Sequence, residues 1–75
     1  MALPTKPTGR LDTTITLVAV EGNEAADKRR VAARYVREHH EECSMILAIW
    51  RTQERNEHGY PVFAVEWEAE EDEWA

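Results

Sequence analysis

Three apolar runs of strand length, with one amphipathic stretch between the first and the second, narrow what this chain can fold into. Thr13 to Val20 (TTITLVAV) is rich in β-branched residues and ends at Glu21-Gly22, so it reads as a strand. Ser44 to Thr52 (SMILAIWRT) is nearly continuous in apolar residues, as expected for the most buried strand of the set. From Tyr60 to Glu68, apolar Phe63, Val65 and Trp67 alternate with Val62, Ala64, Glu66 and Glu68. That alternation predicts a half-solvated strand, paired with its predecessor as a hairpin through the polar turn Gln53 to Gly59. Pro61 stands near its start, where a missing N–H is tolerable.

Asn23 can cap a helix, and Glu24 and Asp27 put negative charge where the helix dipole favours it. A helix is expected from about Glu24 to Glu42. Its apolar stripe is Ala25, Ala32, Val36 and Cys43, flanked by Ala33 and Tyr35, and small side chains there allow close approach to a sheet. The predicted fold is α+β, a small two-layer β-α-β-β domain with one helix on a three-stranded sheet. At 75 residues the chain holds one such unit with a thin core. Residues 1–12, with Pro4, Pro7 and Gly9, read as a flexible N-terminal arm, 13–68 as the domain and 69–75 as an acidic C-terminal tail.

Strict alternation sorts the strand residues into two faces. Ile15, Leu17, Ala19, Met45, Leu47, Ile49, Phe63, Val65 and Trp67 are assigned to the helix side. The other face carries Val18, Val20, Ile46, Ala48, Trp50, Val62 and Ala64 among Thr14, Thr16, Glu66 and Glu68, too apolar to be left in water. Three arrangements answer this: the arm folds back across it, with Leu3 and Leu11 as anchors, a homodimer or partner interface centred on Trp50 covers it, or the residues divide between the faces differently from this assignment.

Charge divides the chain. Residues 1–37 balance at +3 and residues 38–75 at −9, which together make the net −6. Six acids fall between Glu66 and Ala75, a field that repels nucleic acid and membrane phosphates and attracts basic surfaces. The expected partner is a basic protein, and nucleic acid is disfavoured. The partner-binding candidates are Trp50, Glu66, Glu68, Glu70, Glu71, Asp72, Glu73 and Trp74, with Trp74 supplying buried area and cation–π contact while the acids steer approach. The alternative is nucleic-acid binding by Arg30, Arg34 and Arg37 on the outer helix face, weakened by ion pairing to Glu38 and Glu41 four residues on.

Enzyme chemistry is not expected. His39, His40 and Cys43 sit at i, i+1 and i+4 of the expected helix, a spacing that suits a metal pair or a thiol nucleophile. Even with His58 and Glu42 added there is no second Cys/His pair and no evident cleft, so no metal and no cofactor is expected. The absence of a long apolar run and the lone cysteine point to a cytoplasmic protein without membrane contact. In size and charge the chain is similar to small acidic phage-encoded inhibitors, which block nucleic-acid-binding proteins by occupying their basic surfaces. That similarity is one of composition, without a shared motif. It implies an inhibitor or adaptor that acts as a nucleic-acid mimic.

Overall fold

Each of the runs forms the element its composition favours. The computed structural model describes residues 3–21 and 28–70. In chain order the elements are β1 (Thr14–Ala19), α1 (Lys28–His39), β2 (Cys43–Arg55) and β3 (Pro61–Ala69). The expected cap at Asn23 and the expected first helical turn, Glu24 to Asp27, lie outside the described residues. At its other end α1 stops earlier than Glu42, because the chain turns at once into β2: the Cys43 amide donates to the His40 carbonyl at 3.0 Å.

The sheet order is β1-β3-β2, and both outer strands are antiparallel to β3. β1 and β2 therefore run parallel to each other. The helix carries the chain from one to the other across a gap of one strand, and the hairpin returns β3 into that gap. Gly59 makes the return tight, with φ +80°, a conformation that side chains resist. Asn56 Oδ1 accepts the amides of His58 at 3.0 Å and Tyr60 at 2.9 Å within the same turn.

This order reverses the expected burial of the two hairpin strands. β3 is paired on both edges and every residue from Pro61 to Trp67 is buried, whereas β2, expected to be the most buried strand, is an outer one. Continuous hydrophobicity marks a covered strand, but alternation with small or internally bonded residues can be covered just as fully.

The face assignment also changes. Thr14, Thr16 and Val18 lie opposite Trp67, Val65 and Phe63, so the even-numbered residues of β1 face the helix. Val18 and Val20, not Ile15 and Leu17, pack with Ala32, Ala33 and Val36 in the core. In β2 the register slips between Ile46 and Ala48, which lets Ile46 and Ile49 both face the helix and turns Met45 to the other side, opposite Glu68. Strict alternation could not follow that bulge. Trp67 completes the core, with its Nε1–H donated to Thr16 Oγ1 at 2.9 Å.

The arm lies across the sheet face opposite the helix. It starts at the outer edge of β2, where the Ile49 amide donates to the Pro4 carbonyl at 3.0 Å and Arg29 donates to the Leu3 carbonyl at 2.7 Å. Leu3 packs against the core, and Thr8 reaches Glu66 on the central strand before the chain enters β1. Ala48 and Ala64 are buried on this face. Leu11, an expected anchor, is fully exposed.

Candidate functional site

Glu66 is the most altered of the residues that charge alone assigned to a partner. It sits in the middle of the central strand, 1% exposed, under the arm. Its Oε1 accepts the Thr8 amide at 2.8 Å, and its Oε2 accepts the Thr13 hydroxyl at 2.9 Å and the Thr8 hydroxyl. Burial is the largest single influence on this carboxyl and pushes its pKa up. The Thr8 hydroxyl and amide, the Thr13 hydroxyl and the Arg10 charge together outweigh it and hold the group below its ordinary value. Glu66 is therefore not a contact residue: buried under the arm and bonded to its own chain, the carboxylate presents no exposed oxygen to a partner.

Glu68 is largely used in the same way. Its Oε1 accepts Arg10 Nη2 at 3.0 Å, while the same guanidinium grips Asp12 through Nε at 3.1 Å and Nη2 at 3.0 Å. Trp50 lies opposite Ala64 on the arm-covered face and is half-buried, so it is not the exposed centre of an open interface.

One group of exposed acids lies at the end of the molecule where α1 and β3 finish. The Glu70 amide donates to the Glu42 carbonyl at 2.6 Å, which ties the end of β3 to the turn after α1. Glu38, Glu41, Glu42 and Glu70 are all exposed there, and the chain continues from this point into Glu71, Asp72, Glu73 and Trp74. Those last four candidates lie outside the described residues. Sequence reasoning used Glu38 and Glu41 only as ion-pair partners for the helix. Their proximity to Glu70 depends on strand order, which spacing does not reveal.

Arg30, Arg34 and Arg37 are exposed on the helix. The ion pairs expected with Glu38 and Glu41 are not formed: among the described residues the arginine pairs are Arg10 with Asp12 and Glu68, while His40 Nδ1 lies 3.5 Å from Glu42 and His58 Nε2 lies 3.6 Å from Glu57.

The histidine and cysteine candidates separate. The expected i, i+4 relation fails because the helix ends at His39 and Cys43 opens β2. His39 Nδ1 lies 2.9 Å from the Tyr35 carbonyl and its ring stacks on Tyr35, whereas the His40 ring lies 5.0 Å from that of Trp67. Burial pushes the Cys43 thiol up, with the Arg37 charge opposing and Glu42 reinforcing the shift. Among the described residues no three His, Cys, Asp or Glu side chains converge as metal ligands.

At the opposite end an open pocket of about 530 Å³ is lined by Glu21, Lys28, Arg55, His58, Gly59, Tyr60 and Pro61. Arg55 Nη1 is held by the Gly59 carbonyl at 2.8 Å. The Tyr60 hydroxyl is bonded to Glu21, whose carboxylate pushes the phenol pKa up. Two of the lining side chains are thus already engaged, Arg55 by a main-chain carbonyl and Tyr60 by Glu21.

Comparison with known proteins returns no match to this chain among protein-family models, curated proteins or solved structures. No described helix is long and apolar enough to cross a membrane.

Proposed function

We propose that this chain is a small acidic protein-binding module that engages a basic, nucleic-acid-handling protein through the end of the molecule where α1 and β3 finish. The observation that carries this reading is the Glu70 amide bonded to the Glu42 carbonyl at 2.6 Å. It sets exposed Glu38, Glu41 and Glu42 beside the start of the acidic tail, so charge from two separate segments acts on one approaching surface. Such a pole would imitate the charge density of a nucleic-acid backbone, as an inhibitor or adaptor requires. Glu66 plays no part in this contact, and Glu68 only a minor one.

The reading is tested by affinity capture from lysate with and without nuclease, followed by kinetics on the captured protein. Glu38, Glu41 and Glu42 changed together to Gln should slow association, and added salt should weaken binding. Binding that ignores both changes overturns the proposal. A second reading has its own support: Arg30, Arg34 and Arg37 are exposed and form no ion pair among the described residues. If the purified chain retains a DNA or RNA duplex at physiological salt, and reversing those arginines abolishes it, this nucleic-acid reading replaces the first.

A further inference from the structure

We infer that a second copy of this chain pairs antiparallel along the outer edge of β1 and continues the sheet across a two-fold axis at Leu17. The first step is main-chain direction. The Val20 amide donates to the Pro61 carbonyl at 3.0 Å, so Val20 faces β3, and by alternation so do Val18, Thr16 and Thr14. The N–H and C=O groups of Ile15, Leu17 and Ala19 therefore point away from the sheet, and nothing among the described residues pairs with them.

The edge also lacks the usual protections of an outer strand. Thr14–Ala19 (TITLVA) has no charge, no proline and no bulge. The other outer strand is protected: β2 is irregular in register, carries Arg51, Glu54 and Arg55, and has the arm against its edge, where the Ile49 amide donates to the Pro4 carbonyl.

Around a two-fold axis at Leu17 the outward groups match. Leu17 meets Leu17 of the second copy and Ile15 meets Ala19, a large residue against a small one, closed by about six main-chain hydrogen bonds. Ile15 and Leu17, 52% and 56% exposed, lose water on the arm side of the sheet. On the helix side the contact continues. Lys28 lines the pocket with Glu21 and Pro61 at the end of β1, whereas Arg29 reaches Leu3 beside β2. At about 100° per residue Tyr35 falls within about 20° of Lys28, and so on the β1 flank. It is 42% exposed.

Charge favours the same place. Two copies at net −6 repel each other, and Ile15, Leu17 and Tyr35 add no like charge at the contact itself. Area sets the strength. A strand of about 20 Å on a molecule 22 Å across offers about 440 Å² per copy, against about 800 Å² in a standard interface, so the dimer is weak and concentration-dependent.

Sedimentation velocity from about 1 μM to about 1 mM tests the association. The wild-type protein should shift from monomer to dimer across that range. Leu17→Lys, which sets like charges directly opposite each other, should remain monomeric with an unchanged circular dichroism spectrum. Register is tested in a Cys43→Ser background, where Leu17→Cys should cross-link to its own copy under mild oxidation and Ile15→Cys should not. A wild-type monomer at every concentration, a Leu17→Lys dimer, or cross-linking of Ile15→Cys as fast as Leu17→Cys would each overturn the inference.

Discussion

The main-chain amide of Thr8 donates to Glu66 Oε1 at 2.8 Å across 58 positions of sequence. This bond places the arm over the one carboxylate buried in the sheet, and the Thr8 and Thr13 hydroxyls complete the set. The charge is stable there because three donors stand in for water. Arm and carboxylate therefore depend on each other.

Replacing Glu66 with Gln keeps the shape and removes the charge: its Oε1 can still accept the Thr8 amide, but its NH₂ then faces the Thr8 and Thr13 hydroxyls, which must turn from donating to accepting. A loss of about 1–3 kcal/mol is expected in urea unfolding. Unchanged stability would mean that the arm bonds contribute nothing net.

Acid should act through the same group. Glu66 is held below its ordinary value of 4.5 in the folded state, so the stability it contributes is fully present above about that pH and is lost as pH falls through the lowered value. Denaturant unfolding across acidic pH should show this decline, and Glu66→Gln should flatten it. Equal slopes in both proteins would assign acid sensitivity to other carboxylates.

Deleting residues 1–11 should uncover Ala48, Ala64 and Glu66 together. Lower stability and increased binding of a hydrophobic dye are expected. If neither changes, the arm is not what keeps this face from water.

Thr16→Val should leave the Trp67 indole N–H buried without its acceptor. The expected cost is about 1–3 kcal/mol, with a change in tryptophan emission. An unaltered spectrum and midpoint would show that the hydroxyl is dispensable.

Cys43 should alkylate more slowly at neutral pH than an unperturbed thiol, because burial pushes its pKa up and leaves less thiolate. Following the reaction against pH gives the comparison. Zinc should not bind tightly, and stoichiometric binding abolished by Cys43→Ser would restore the metal reading of His39, His40 and Cys43.

The kinds of element and their order were legible in the sequence, since β-branched runs and an amphipathic stripe are local properties set by backbone sterics and side-chain period. Ala32 and Val36 are fully buried as their spacing requires, and Trp50 stands on the sheet face assigned to it. Which face of β1 turned inward was not legible. Ile15 and Leu17 are as apolar as Val18 and Val20, and only close packing on Ala32 and Val36, with a hydroxyl at Thr16 for the Trp67 indole, separates the two choices. Nor could a count of acids distinguish Glu66 from Glu70. Charge is a property of composition, whereas exposure depends on strand order: β3 entered the middle of the sheet, the arm closed over Glu66, and the strand's end brought Glu70 out beside Glu42. Local physics determined the parts from the sequence alone. The contacts between distant segments decided which of its charges hold the fold and which face outward.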